Sequence, residues 1–185
     1  GLDIHIPSDN SGKCYTYDSA DAVDLDFNLL GYNIHIDQKN NLVFSLSQDK
    51  LNRITEIIDR TFATFDKMID IAGFDVAAHY LFDALHVLTC NINLYNAKKG
   101  VKVGIFYSNQ LLDNKKNLSY LDGQLKRNIS KLNLSLKTSI ANRTTIEENL
   151  KRKLSLLSFT KGFDYPHKRY KVKKKRLRTI KLSWV

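Results

Sequence analysis

Four side chains of the types that ligate metals are spaced along one predicted helix. His79, Asp83, His86 and Cys90 follow one another at intervals of four, three and four residues, which places them on one helical face. Imidazole, carboxylate and thiolate are the ligands that zinc prefers. The residues between them are largely apolar, however, and this favours a packed helix whose histidines are satisfied by local hydrogen bonds. We therefore predict no metal site on this helix.

Carboxylates are concentrated at the start of the chain, where they could hold divalent ions. Two-metal nucleotidyl transfer needs carboxylates held together on a rigid scaffold. Asp24 and Asp26 fall in a polar stretch, 18–26, that we predict to be a loop, so we expect no catalytic residue among them. Residues 1–26 contain one base, Lys13, and six acids: Asp3, Asp9, Asp18, Asp21, Asp24 and Asp26.

The opposite end, residues 161–185, is strongly basic, with ten Lys and Arg residues and one acid, Asp164. Such a stretch binds phosphates and releases their counterions, although a run of like charge is also typical of a disordered solubilising tail. The flanking apolar residues Phe159, Ile180 and Trp184 favour an ordered stretch that docks at both ends. We predict contact with nucleic acid through Lys168, Arg169, Lys171, Lys173, Lys174, Lys175, Arg176 and Arg178.

Composition supports a polyanionic partner for a globular chain. The 185 residues are 43% hydrophobic, and the formal net charge is +10. This balance favours nucleic acid first and an acidic membrane surface second. Cys14 and Cys90 lie far apart and outside any C-x-x-C pattern, which argues against a disulfide framework and a zinc ribbon. This cysteine usage predicts a reducing, cytoplasmic environment, and the sequence shows neither an apolar run of about 18–20 residues nor a signal-like N-terminus.

The first half of the chain shows a β region followed by two helices. Alternating apolar residues predict a hairpin from segments 30–36 and 42–46 around a polar turn. Apolar residues at intervals of three and four predict a helix over 48–72, with Ser47 as its N-cap and Gly73 as its stop. A second, more apolar helix is expected over about 75–90.

The second half is predicted to be mainly helical. Segment 91–100 combines amides, Tyr95 and basic residues in an expected exposed connection that suits contacts to nucleic acid, through Asn93, Lys98 and Lys99 in particular. A plain solvent loop is the alternative. A strand or packed extended segment is expected over 101–107, then a helix around 118–132 and another that begins at the capping box Thr145-x-x-Glu148. The chain is thus predicted to be α+β, with a small antiparallel β region before the helices.

The order of these features resembles part of a bacterial reverse transcriptase. Leu30-Gly31-Tyr32, the second strand and a Ser47-led helix with Lys50 and Arg53 resemble the primer-grip hairpin and the first thumb helix. Further segments resemble the abortive-infection and defence-associated branch of that family. They are Leu88-Thr89-Cys90-Asn91-Ile92-Asn93, Val103-Gly104-Ile105-Phe106-Tyr107-Ser108-Asn109, Ser158-Phe159 and Gly162-Phe163.

The resemblance implies three regions: a palm edge (1–46), a helical thumb-like domain (47–160) and the basic tail (161–185). It implies RNA-directed DNA synthesis in antiviral defence, with Gly31, Tyr32, Lys50 and Arg53 on the template–primer. As alternatives, Gly31 could be needed for tight packing and Tyr32 could be a core residue. Lys50, Arg53 and Arg60 are predicted to lie near one polar face of the first helix. The acids Glu56 and Asp59 reduce the positive charge of that face, so a merely solvated surface is the alternative there. Magnesium is expected in the palm of the polymerase, upstream of this chain, and no cofactor in the chain itself.

The implied partners are RNA or an RNA/DNA duplex, with a structured noncoding RNA as a further candidate, and the rest of the polymerase. On this interpretation the chain is a fragment that is inactive alone. The alternative is a non-catalytic RNA-binding or assembly module that docks on an enzyme partner. A basic membrane-surface protein is disfavoured, because the chain begins with strands and has no long basic amphipathic helix.

Overall fold

The computed structural model describes residues 25–37, 39, 41–94, 101–134, 143–172 and 174–184. In this part of the chain, an antiparallel sheet precedes a set of helices, so the predicted α+β class is confirmed. The elements in chain order are β1 (Leu25–Leu29), β2 (Tyr32–Ile36), β3 (Leu42–Leu46), α1 (Gln48–Ala72), α2 (Phe74–Thr89), β4 (Asn91–Leu94), β5 (Val101–Gly104), α3 (Lys116–Lys131), α4 (Arg143–Leu154), α5 (Phe159–Asp164), β6 (Arg169–Val172) and α6 (Lys174–Leu182).

The first sheet has the order β1-β2-β3, with both pairs antiparallel. The predicted hairpin is β2–β3. The expected loop over 18–26 is wrong at its end, because β1 begins at residue 25; apolar and polar residues alternate there at the period of a strand. Between β1 and β2, Leu30 and Gly31 have φ values of 50° and 82°. Two left-handed residues in a two-residue turn match the twist of the strands that they join.

Helix α1 has the bounds that the sequence predicts. The Ser47 hydroxyl accepts a hydrogen bond from the backbone N–H of Lys50, and Gly73, with a φ of 82°, separates α1 from α2. The apolar stripe of α1 packs against α2 and α3 in the main core. Its buried apolar residues are Leu51, Ile58, Phe62, Phe65 and Ile69.

The second sheet shows that segment 91–94 is not an exposed connection. Here β4 pairs with β5 antiparallel and with β6 parallel, and Asn91 is completely buried. A buried amide is tolerated when it is hydrogen-bonded. Asn91 donates to the carbonyl of Gly162 at 2.7 Å and accepts from the N–H of Phe106 at 3.0 Å, so it joins β4, α5 and the turn after β5.

The later helices depart from the predicted bounds. Helix α4 begins at Arg143, two residues before the expected capping box. Its Glu147, not Glu148, makes the long-range contact, accepting from the N–H of Leu134 at 2.7 Å. Helix α5 has no counterpart among the predicted helices. Asp122 on α3 accepts from the backbone N–H groups at its start, and this contact between distant segments gives no local sequence signal.

Candidate nucleic-acid interface

Near the basic end of the sequence, helix α6 packs on α2. Ile180 is fully buried in a small cluster with Tyr80 and Ala84. The Nε of Arg176 donates to Oδ2 of Asp83 at 2.8 Å. Beyond the helix, the indole N–H of Trp184 donates to the Thr61 hydroxyl at 3.1 Å. Before the basic stretch, Phe159 is buried in the main core, so the described residues agree with the prediction that the stretch packs against the fold at both ends.

Docking divides the basic residues of α6 between two faces. Arg176 lies on the docked side with Ile180, where it anchors the helix. Lys175, Arg178 and Lys181 are exposed, and helical spacing places them on the outer side. A nine-residue helix is about 13 Å long, so these cations form one compact patch. We call Lys175, Arg178 and Lys181 the outer face of α6.

Lys181 was not among the residues that the sequence predicted to bind, although its position three residues after Arg178 is the signal that would have found it. Lys173 and the side chain of Lys174 lie outside the described residues.

Strand β6 adds a basic row to the second sheet. In the register of this sheet, Asn93 on β4 lies between Lys102 on β5 and Lys171 on β6. Residues paired across strands point to the same face, at a spacing of about 4.8 Å between strands. Both lysines are exposed and Asn93 is half-buried. Lys102 was missed, because only the register places it beside Asn93.

Lys98 and Lys99, which the sequence predicted to bind beside Asn93, lie outside the described residues, as does Tyr95.

The primer-grip-like residues form a cluster of their own. Tyr32 is 9% exposed, and its hydroxyl donates to the carbonyl of Ser108 at 3.3 Å. Lys50 donates to the same carbonyl at 3.4 Å, with its Nζ 5.0 Å from the centroid of the Tyr32 ring. Burial lowers the pKa of Lys50. A Cβ at Gly31 would lie 3.1 Å from Cδ of Lys50, so the turn and the lysine are in close contact.

Because of this cluster, the exposed basic face that the sequence predicts for α1 is not formed as expected. Lys50 turns towards Tyr32 and is half-buried, whereas Arg53 is exposed. Arg60 donates to Glu56 and to the carbonyl of Trp184. The three cations therefore do not form one uniform exposed row.

The turn after β5 connects the two groups of predicted binding residues. Ser108 accepts from the Tyr32–Lys50 cluster, and the adjacent Tyr107 contacts the start of β6. The Tyr107 hydroxyl donates to the carbonyl of Pro166 at 3.2 Å and accepts from Arg169 at 3.4 Å. Lys168, next in the chain, is exposed, with its Nζ 4.6 Å from the centroid of the Tyr165 ring. The structure thus places Tyr32, Lys50 and Arg169 around one short segment.

Charge is distributed unevenly along the chain. Residues 143–185 contain fourteen basic and three acidic residues, so the excess of positive charge lies in the segment that forms α4 to α6. A surface of one sign attracts polyanions and increases their rate of association. Within the described residues, no helix is long and apolar enough to span a bilayer.

Comparisons with models of protein families, with curated proteins and with solved structures find no match for this chain. The candidate interface therefore rests on the geometry and charge described above.

Proposed function

We propose that this chain binds nucleic acid as the template–primer-holding, thumb-like part of an RNA-directed DNA polymerase of the antiviral-defence type. The observation that carries the binding is the docking of α6: Ile180 and Arg176 fix the helix on α2. Its outer face then presents Lys175, Arg178 and Lys181 together. A fixed array of cations loses less conformational entropy on binding than a disordered tail does.

The outer face suits a phosphate backbone more than a specific base sequence. Lysine and arginine contacts to phosphates position a protein on a nucleic acid, and releasing counterions provides the affinity. The row of Lys102, Asn93 and Lys171 adds a second set of donors on the sheet. We therefore expect affinity for RNA and for RNA/DNA duplexes with little dependence on sequence.

The turn between β1 and β2 is the part of the proposed interface that would approach the primer end. Leu30 is 88% exposed at this turn, and Gly31 has no Cβ to hold a ligand away from the backbone. Tyr32 and Lys50 both donate hydrogen bonds to the carbonyl of Ser108, and these contacts hold the turn in position. This arrangement supports a rigid contact to a strand end.

The assignment to a polymerase and to antiviral defence comes from the sequence resemblance, and the expected cytoplasmic location comes from the cysteine usage. The described residues contain no group of three or more His, Cys, Asp or Glu that fits a metal ion. The function that we propose for the chain itself is binding, and the catalytic magnesium is expected in the palm of the polymerase.

Photo-crosslinking tests the contact at the primer end. A photoreactive amino acid at Leu30 should crosslink to the 3′ end of a primer annealed to an RNA template. The matched control is the same amino acid at Ile71, which is 85% exposed near the end of α1. Equal crosslinking at both positions, or none at Leu30 when the duplex is bound, would contradict a thumb-like role.

Crosslinking at Leu30, together with binding to different nucleic acids, distinguishes the alternative of an RNA-binding or assembly module. Such a module would bind a structured RNA as well as it binds a primer–template, and Leu30 would show no preference for a primer end. A polymerase part should prefer the recessed duplex over blunt duplex and over single-stranded RNA.

A further inference from the structure

A large cleft lies between α2, α4, α5 and the start of β6, apart from the outer face of α6. Its volume is about 820 Å³, within the range of sites that bind small ligands. We propose that this cleft binds a single nucleotide, with the base among the aromatic side chains of its wall and the phosphate on the lysines at its edge. This inference goes beyond the proposed backbone binding and does not depend on it.

The aromatic wall comes from two distant segments of the chain. On α2, the rings of Phe82 and His86 have centroids 5.3 Å apart, and the His86 ring lies 3.7 Å from that of Tyr170 at a steep angle of 70°. Tyr165 completes the lining after α5. Tyr165 and Tyr170 are each 46% exposed, so their rings retain surface on which a base could stack.

His86 supplies an unused polar atom. It lines the cleft, and its Nε2 is buried with no hydrogen-bond partner among the described residues. Buried polar atoms without partners are rare and call for an explanation. By contrast, His79 is satisfied locally, since its Nδ1 donates to the carbonyl of Asp75 at 2.7 Å. The prediction of locally satisfied histidines thus holds for His79 but not for Nε2 of His86, so the His86 ring contributes an unpaired polar atom to the wall of the cleft.

The charge at the cleft fits a phosphate. Lys153, Lys161 and Lys168 all line it and are all exposed. The position of Lys168 over the Tyr165 ring places a cation next to a stacking surface, so a base and its phosphate could be held together. The acidic side chain in the lining, Asp83, is paired with Arg176. An anion with a planar aromatic group is the ligand that this combination favours.

Titration with adenosine 5′-monophosphate, adenosine and ribose 5-phosphate tests the ligand class, with isothermal calorimetry as the readout. We expect the complete nucleotide to bind about tenfold or more tightly than either part. Tyr165→Ala should weaken binding of the nucleotide about tenfold, whereas Tyr165→Phe, which keeps the ring, should stay within about twofold. Tyr120→Ala, at an equally exposed tyrosine on α3, is the control and should bind as the parent chain does.

A single-stranded oligoribonucleotide, intact or with one abasic position, identifies the source of the nucleotide. If the free nucleotide does not bind, but the intact strand binds more tightly than the abasic strand, and Tyr165→Ala removes that difference, the cleft takes a base from a strand. If the free nucleotide binds, a strand is not required. The proposal is overturned if Tyr165→Ala changes neither the binding of the free nucleotide nor that of either strand. Because Lys175, Arg178 and Lys181 do not line the cleft, their variants test the outer face separately.

Discussion

Arg176 on α6 and Asp83 on α2 form an ion pair, with 2.8 Å between Nε and Oδ2. The two residues are 93 positions apart. Both side chains are more than one-third exposed, so the pair alone contributes little to stability. Its importance is geometric: together with Ile180, it fixes which side of α6 faces solvent. Within the basic segment, α6 is therefore a docked helix with one cationic side.

Removing the apolar anchor of α6 should destabilise the fold. Ile180→Ala deletes a fully buried side chain and is expected to lower the free energy of unfolding by about 2–4 kcal/mol. Leu182→Ala, in the same helix but 68% exposed, is the matched control and should change it by less than about 0.5 kcal/mol. Urea denaturation followed by circular dichroism measures both. Equal effects would show that α6 is not docked.

Replacement by alanine should change the stability of the protein in opposite directions at Gly162 and at Gly123. A Cβ at Gly162 would lie 1.8 Å from the carbonyl oxygen of Thr89, so Gly162→Ala must displace α5 from the end of α2. We expect a loss of about 2–3 kcal/mol or more, as in other overpacked sites.

Gly123 is the control for this substitution, because it lies in helix α3 with nothing within 4 Å of a Cβ. Gly123→Ala should stabilise the protein by about 0.5–1 kcal/mol. Thermal unfolding of both variants tests this. A stabilised Gly162→Ala variant would contradict the packing of α5 on α2.

Glu147 should make stability depend on pH in the acid range. The hydrogen bond from the N–H of Leu134, and then that from Lys151, lower the pKa of this carboxyl below its ordinary value of 4.5. The unfolded chain therefore binds this proton at a higher pH than the folded chain does. The stabilisation is complete above about pH 4.5 and is lost as the pH falls through the lower folded pKa.

Glu147→Gln mimics the protonated carboxyl and isolates this contribution. It should lower the free energy of unfolding by about 1 kcal/mol at neutral pH, and the difference should shrink towards zero in acid. Glu148→Gln, at the exposed neighbouring residue, is the control, with an expected change under about 0.5 kcal/mol at neutral pH. Urea titrations at several pH values provide the measurement. A difference that stays constant with pH would contradict the assignment.

Local patterns predicted the elements whose signals lie within a short stretch of sequence. The bounds of α1 follow from its apolar period, its Ser47 cap and its Gly73 stop, and β2–β3 follows from alternation around a turn. The same logic failed at β1, where the alternation from Leu25 is only five residues long and follows an acidic run.

The contacts that assemble the candidate site could not be predicted from the sequence. From the sequence alone, Asn91 is expected to be a solvent-exposed amide. In the fold it is buried and hydrogen-bonded to Gly162 and Phe106, which are distant along the chain. To predict the row beside Asn93, one must know the register of three strands. To predict the contact of His86 with Tyr170, one must know that β6 lies against α2. Each of these depends on long-range packing, which residue spacing does not encode.

The salt dependence of binding tests the central claim, that the outer face of α6 holds nucleic acid. The affinity for an RNA/DNA primer–template should be measured at about 50 and 200 mM salt. The parent chain is compared with Lys175→Ala/Arg178→Ala/Lys181→Ala and with Lys67→Ala/Lys126→Ala/Lys131→Ala, which removes the same charge from exposed sites on α1 and α3. The slope of log affinity against log salt should become shallower by about 2–3 in the α6 variant and by less than about 1 in the control. Equal slopes in the two variants would contradict the account, since only net charge would then matter.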